Sequence, residues 1–157
     1  MSTDEAIRMR SHLEAEIARL SATIRLPPQD TPGFVNCDGA RPFLVVEDSG
    51  LLRERAFERG RPVLDRTTND PNELLYWAFA GATFSFAMRL ALMHAVGGEQ
   101  QRVTLWRHQA LLLHTLHPSW QERWRKELAQ SLRNPADRDL IPALPAQSPD
   151  IYPPSFA

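Results

Sequence analysis

The residues best suited to chemistry in this sequence are two histidines and one cysteine. His114 and His117 stand three positions apart in a helical pattern, so both side chains can face one site. A zinc site needs three or four ligands, and no carboxylate or cysteine occupies a helical position next to both histidines. Cys37 lies far away beside Asp38, and an acidic neighbour disfavours the thiolate that a nucleophile requires. We therefore predict no catalytic residue, no metal site and no cofactor.

Composition narrows the class of protein without naming a function. The 157 residues carry a formal charge of −1, which excludes a strongly basic clamp for nucleic acid. A single cysteine excludes an internal disulfide framework. The sequence contains no glycine-rich phosphate loop, no dinucleotide-binding glycine pattern and no Gly-x-Ser-x-Gly motif. The first residues are polar and charged, with no apolar export segment, so we expect a cytoplasmic protein if Met1 is the native start.

Charged residues are concentrated between Arg41 and Arg66, where six arginines and five acidic residues occur. On a strand, Arg53 and Arg55 point to one side and Glu54 to the other, because strand side chains alternate. One interpretation is a solvated sheet face. Its cross-strand ion pairs would be weak, and its acidic side chains would lie in water. The other is a polar recognition surface for a second protein, in which arginines often anchor contacts.

The first half of the chain predicts one helix followed by three strands. Apolar residues recur at helical spacing from Leu13 to Ile24, and two prolines end that pattern. Short apolar runs then alternate with turn residues, and both connections end in a glycine. Pro62 cannot donate a ladder hydrogen bond, so the third strand is expected at a sheet edge. The predicted elements are a helix over 3–25, a loop over 27–42 and strands over 43–46, 51–57 and 61–68.

A long apolar helix is predicted next, over 71–96. Asp70 is placed to cap it, and the stretch 74–88 has no charged residue. A membrane span needs about 20 apolar residues, and Arg89 interrupts this one. We therefore expect the buried central helix of the domain and no membrane association.

Two shorter helices complete the predicted fold, over 99–116 and 118–132. Ser119 and Glu122 have the spacing of a capping box, and four tryptophans fall at core spacing. The fold class is α+β, with an N-terminal helix, a three-stranded antiparallel meander and three helices. We expect residues 1–140 to form one domain and 141–157 a proline-rich tail.

The sequence resembles the immunity protein 63 family of bacterial polymorphic toxin systems over about 43–135. The segment 73–77, with the sequence ELLYW, is the most specific part of this likeness. The motifs that carry it are LVVEDxGLL at 44–52, ERG at 58–60, RTTxDxxELLYWxF at 66–79, TFSxAM at 83–88, RxQxxLLxxLxPxW at 107–120 and ExxxxL at 127–132.

The resemblance implies a cytoplasmic protein that binds a cognate toxin and blocks it, without catalysis or a cofactor. It implies core positions at Leu75, Trp77, Phe79 and Phe84, and a helix start at Asp70 and Glu73. It supplies no binding residue. We predict that the toxin contacts the polar residues of the hairpins, namely Glu47, Asp48, Arg53, Arg55, Glu58 and Arg59.

Two other functions remain open. A small ligand-binding or regulatory module would need an apolar pocket beneath Gly81, or a basic helix that fits a nucleic-acid groove; the basic residues of 102–126 do not form one stripe. An enzyme would need His114, His117 or Cys37. We favour a toxin-binding protein that contacts neither nucleic acid nor membrane.

Overall fold

The computed structural model describes residues 2–93 and 101–141, and it has the predicted α+β architecture. Within these residues a helix comes first, a three-stranded sheet follows, and four helices come last. The elements are α1 (Thr3–Thr23), β1 (Phe43–Val46), β2 (Leu52–Glu58), β3 (Arg61–Thr68), α2 (Pro71–Met93), α3 (Gln101–Leu116), α4 (Pro118–Ser131) and α5 (Pro135–Asp139).

Helix α1 begins and ends at residues that satisfy its free backbone groups. The Ser2 backbone N–H donates to Glu5 Oε2 at 2.7 Å, and the Glu5 N–H donates to Ser2 Oγ at 3.4 Å, which is a capping box. At the other end Arg25 adopts a left-handed φ of 51°, and the Leu26 N–H donates to the Ser21 carbonyl. This Schellman arrangement ends the helix two residues earlier than predicted.

The three strands form an antiparallel meander in the order β1-β2-β3, as predicted. Arg59 and Gly60 connect β2 to β3 with φ values of 50° and 73°, and two positive φ values are typical of a type I′ hairpin turn. β3 is an edge strand and Pro62 stands near its start. The edge position accommodates Pro62 because no strand among residues 2–93 and 101–141 pairs with the outer side of β3 and requires the missing N–H.

The loop from 27 to 42 is anchored to the sheet at two places. The Leu44 N–H of β1 donates to the Gly33 carbonyl at 2.9 Å, so the loop covers the outer edge of β1. The Ala40 N–H donates to the Phe57 carbonyl at 2.7 Å. The Asp38 carboxylate accepts hydrogen bonds from the backbone N–H groups of Arg59 and Gly60.

Helix α2 lies at the centre of the core, as its composition predicts. The Asp70 side chain accepts a hydrogen bond from the Asn72 N–H at 2.9 Å and so caps the helix. Within the described ranges, α2 is the only helix with the length and apolar composition of a membrane span, but 61% of its apolar window is buried inside the protein. Such burial is what a core helix shows. The predicted extension over 94–96 lies outside the described residues.

Gly81 stands in the middle of α2, where the fold does not require a glycine. A Cβ atom added there meets nothing within 4 Å, so no neighbouring backbone approaches it closely. A glycine inside a helix costs about 0.5–1 kcal/mol relative to alanine. A glycine inside a helix can mark a close approach by another backbone, and the structure has no such contact at Gly81.

Helices α3 and α4 pack on α2 and on each other. Gln109 of α3 is buried and donates to the Ala80 carbonyl of α2 at 3.0 Å. Trp106 and Trp124 are buried, whereas Trp77 and Trp120 pack partly buried against the core. All four tryptophans therefore belong to the core or its margin, as predicted.

Two predictions for the helices were wrong, and one short helix was not predicted. The α4 cap is His117 rather than Ser119, whose hydroxyl contacts the His117 ring at Nδ1 instead. The helix that was not predicted is α5, which begins where the Asn134 side chain accepts a hydrogen bond from the Ala136 N–H. Phe84 is 44% exposed and is not a core residue. The start of α3 predicted at 99–100, and residues 142–157 of the predicted tail, lie outside the described residues.

Candidate protein-interaction surface

The side of the sheet that faces away from the helices carries the predicted arginines. The strand register places Arg53 opposite Thr67, and Arg55 opposite Asp65. Residues directly opposite each other point to the same side of a sheet. We call the set Arg53, Arg55, Phe57, Asp65 and Thr67 the outer face. The alternation predicted for β2 is confirmed, since Leu52, Glu54 and Ala56 are buried on the opposite, inner face.

The ion pairs on the outer face are partly exposed, and two of their three contacts are longer than a hydrogen bond. Arg53 Nε lies 3.1 Å from Glu47 Oε1, and Arg53 Nη1 lies 3.8 Å from Asp65 Oδ2. Arg55 Nε lies 3.6 Å from the same Asp65 oxygen. Each of these four side chains keeps about a third of its surface in solvent. Pairs of this kind contribute about 0–1 kcal/mol, so a partner can replace them at little cost.

An aromatic contact supports the arginines of this face. The Arg55 guanidinium lies 4.8 Å from the centroid of the Phe57 ring, and Phe57 stacks on Phe43 with 6.1 Å between ring centroids. Stacking restricts the guanidinium, while the Arg55 side chain keeps 32% of its surface in solvent. The outer face therefore presents an arginine side chain whose orientation is restricted by aromatic contacts.

The structure brings together three of the six predicted contact residues. Glu47, Arg53 and Arg55 belong to the ion-pair group of the outer face. Asp48 lies in the turn before β2, while Glu58 and Arg59 lie at the turn after it. Because β2 has seven residues, these turns are about 20 Å apart. The six residues therefore form a central group and two separate ends.

Asp65 was missed as a contact residue, although it joins both arginines of the outer face. It stands twelve positions from Arg53 in the sequence, and only the pairing of β2 with β3 brings the two together. The turn residues Arg59 and Gly60 were the available signal, because a two-residue turn fixes the register of a hairpin. Counting outward from this turn identifies the neighbours, provided that the bulge near Phe57 is included.

Glu54 is not solvated, contrary to the prediction for the acidic residues of the hairpin. Its side chain is 2% exposed, and its Oε2 accepts a hydrogen bond from Arg66 Nε at 2.7 Å and lies 2.6 Å from Arg66 Nη2. The Arg66 guanidinium in turn lies 4.5 Å from the centroid of a Trp77 ring. Burial of a carboxylate requires such a partner, because an unpaired buried charge is very costly.

A second charged group joins the start of α2 to α4, and we call it the helix clamp: Glu73, Tyr76, Arg123 and Glu127. Arg123 donates to both Glu73 oxygens, at 2.5 and 2.7 Å, and to Glu127 at 2.7 Å. The Tyr76 hydroxyl donates to the other Glu127 oxygen at 2.7 Å. The Arg123 guanidinium also lies 3.9 Å from the centroid of the Tyr76 ring.

The helix clamp shifts the acid–base properties of its members. The hydrogen bonds from Arg123 lower the pKa of Glu73 below its ordinary value. Burial raises the pKa of the Tyr76 hydroxyl, and its bond to Glu127 adds to that effect. The bonds to Glu73 raise the pKa of Arg123. Each shift favours the protonation state that the hydrogen bonds require, so the clamp acts as a structural connection between helices.

The candidate catalytic residues lie on three different segments: His114 in the last turn of α3, His117 at the start of α4 and Cys37 in the loop 27–42. His117 is exposed at the start of α4, where its ring stacks on Trp120. Cys37 is exposed in the loop, with its sulfur 3.6 Å from the Val35 carbonyl oxygen. Among residues 2–93 and 101–141, no group of three or more histidine, cysteine, aspartate or glutamate side chains is arranged to hold a metal ion.

Comparison with known proteins identifies a family. A family model described as Immunity protein 63 matches residues 50–130, just over half of the chain, and this range lies inside the predicted 43–135. The matched range contains the outer-face residues and nearly all of α4. The chain matches no curated protein and no solved structure. The match is sufficient to conclude that the chain belongs to the immunity protein 63 family.

Proposed function

We propose that this protein binds a cognate bacterial toxin in the cytoplasm of the producing cell and neutralises it by direct contact. Membership of the immunity protein 63 family carries this proposal. The proposed mechanism is occlusion, so it assigns the chain no catalysis, no cofactor, no nucleic acid and no membrane contact. The toxin has its site of action inside the cell, where the immunity protein meets it.

The outer face suits this role because its arginines can exchange their present acidic partners for acidic groups of the toxin. Arg53 and Arg55 hold their acidic partners only at 3.1–3.8 Å. An acidic group of a toxin replaces such loose pairs without stranding a buried charge. Interfaces are enriched in arginine and aromatic residues, and Arg55 on Phe57 supplies both.

Co-expression with the toxin domain encoded by the neighbouring gene tests the proposal. Wild-type protein is expected to restore growth and to bind a catalytically inactive form of that domain. The double variant Arg53→Glu/Arg55→Glu should bind at least about tenfold more weakly, because it presents like charge to the acidic groups of the toxin.

A matched control reverses two arginines on a different surface. Arg10 and Arg19 of α1 also form exposed pairs with glutamates, so Arg10→Glu/Arg19→Glu makes the same charge change. Its affinity should stay within about twofold of wild type. Growth arrest despite soluble wild-type protein would refute the proposed function, and equal losses in both double variants would refute the assignment of the outer face.

A further inference from the structure

A cleft of about 430 Å³ lies between the loop 27–42, the inner face of the sheet and α2. We call it the Gly81 cleft. Its apolar walls include Pro42, Leu44 and Phe84. The volume falls in the range of natural ligand sites, which is about 300–1,000 Å³. The Gly81 cleft is on the opposite side of the sheet from the outer face.

Two almost buried carboxylates line this cleft. The side chains of Asp30 and Glu54 are 5% and 2% exposed. Each forms an ion pair with an arginine that is not part of the lining, Arg89 for Asp30 and Arg66 for Glu54. The hydrogen bond from Arg66 Nε and the close contact of its Nη2 both go to the Oε2 atom of Glu54, and a carboxylate can accept more than two hydrogen bonds. In each ion pair, therefore, the carboxylate lines the cleft and the arginine lies outside the lining.

The charge of the lining favours a cation. Besides the two carboxylates, the lining contains one guanidinium, that of Arg41, whose Nη2 donates to the Thr31 carbonyl at 3.3 Å. An anionic ligand would meet two carboxylates. A purely apolar ligand would remove them from water without giving them a new partner, which is unfavourable.

Gly81 and Phe84 keep the cleft open and bordered by apolar surface. Gly81 lines the cleft, and the space in front of it is free within 4 Å of where a Cβ atom would stand. Phe84 is 44% exposed in the lining, and Met88, one turn further along α2, is 38% exposed. Core packing therefore explains neither the open space at Gly81 nor the exposed part of the Phe84 ring.

We propose that the Gly81 cleft receives a lysine or arginine side chain of the toxin. The apolar stem of that side chain packs between Pro42, Leu44 and Phe84, and its cationic head reaches Asp30 and Glu54. The exposed ring of Phe84 and the side chain of Met88 contact the toxin surface around the inserted residue. This identification of the occupant rests on the proposed function, because the toxin is the partner named there.

A titration with small probes tests the cleft without the toxin. Butylguanidinium should shift the backbone amide NMR signals of Gly81, Ala82 and Leu44, whereas n-butanol and butyrate should not. In Gly81→Leu a side chain fills the cleft, and these shifts should disappear. Gly81→Ala is the matched control, since it removes the same helical glycine but leaves most of the space, and it should still bind. Both variants should melt at or above the wild-type temperature.

Three results of the titration would overturn the proposal. One is the absence of shifts at the cleft with butylguanidinium. Another is the persistence of those shifts in Gly81→Leu. The third is an equal response to butyrate, which would mean that charge does not select the ligand.

Binding of the inactive toxin domain identifies the source of the cation. Gly81→Leu should bind it at least about tenfold more weakly, and Gly81→Ala should bind within about threefold of wild type. If Arg53→Glu/Arg55→Glu weakens binding and Gly81→Leu does not, the cleft proposal fails while the proposed function stands. If wild-type protein does not bind the toxin, the proposed function fails, and so does the toxin as occupant, while the titration still reports whether the cleft binds cations.

Discussion

The helix clamp and the outer face use the same kinds of residue for different purposes. In the helix clamp, Arg123 makes contacts of 2.5–2.7 Å to two glutamates and covers the ring of Tyr76. On the outer face, Arg53 and Arg55 lie 3.1–3.8 Å from their acidic partners. Both groups lie mainly within the range matched by the family model.

This difference indicates which charges hold the fold and which are free for a partner. The clamp satisfies its donors with bidentate, charge-assisted hydrogen bonds between two helices, so breaking it leaves half-buried groups without partners. Loose pairs in solvent contribute little to stability. Mutations that measure stability and binding separately will test this division.

The largest effect on stability is expected for Arg123→Met, which removes the centre of the helix clamp. Arginine is 39% exposed here, so the loss of its charge-assisted hydrogen bonds should lower the free energy of unfolding by about 1–2 kcal/mol. Urea denaturation at neutral pH measures this change. The variant should also lose stability less steeply in acid, because Arg123 is what lowers the pKa of Glu73.

The sign of that acid effect follows from linkage. A carboxylate whose pKa is lower in the folded protein contributes stability above its ordinary value of 4.5, and this contribution is lost as the pH falls through the folded pKa. Wild-type protein should therefore lose stability below about pH 4.5 more steeply than Arg123→Met. If the free energies of unfolding of the two proteins fell in parallel with pH, Arg123 would not be what lowers the pKa of Glu73.

A smaller effect is expected for Tyr76→Phe, which removes one hydroxyl and keeps the ring. The lost hydrogen bond to Glu127 should cost about 1 kcal/mol at neutral pH. Above pH 10 the unfolded tyrosine ionises while the folded one stays protonated, so wild-type stability falls as the pH rises. Tyr76→Phe should show less of this alkaline loss in urea denaturation, and an unchanged alkaline slope would contradict the raised pKa.

The smallest effect on stability is expected on the outer face. Arg53→Met and Arg55→Met should each change the free energy of unfolding by less than about 0.5 kcal/mol, because their ion pairs are partly exposed to solvent. Urea denaturation beside Arg123→Met provides the direct comparison. A loss as large as that of Arg123→Met would show that the outer face is structural and would remove the basis for the division drawn above.

Local sequence patterns predict most of the fold because residues close in sequence determine where helices and strands form. The helical spacing of Leu13, Ile17, Leu20 and Ile24 predicts a buried face, and all four residues are buried. Helix α5 has only five residues, too few for a hydrophobic period to be visible. Phe84 escaped prediction because α2 is apolar on nearly every side, so periodicity does not show which side faces solvent.

The candidate sites are harder to predict because they depend on distant pairs. Glu54 is buried only because Arg66, twelve positions later, pairs with it across the hairpin. Asp30 meets Arg89 of α2 through a loop whose path no sequence pattern fixes. The hairpin turn fixes the contact between Glu54 and Arg66, but the contact between Asp30 and Arg89 can be seen only in the tertiary structure.

The anchoring of the loop 27–42 has a practical consequence. Gly33 on one side and Asp38 with Ala40 on the other hold the segment at the sheet, so Val35–Cys37 project beyond the fixed points. Cys37 is the only cysteine of the chain and is exposed. A fluorophore attached to its thiol would report toxin capture in real time, with no engineered residue and without altering the packed interior.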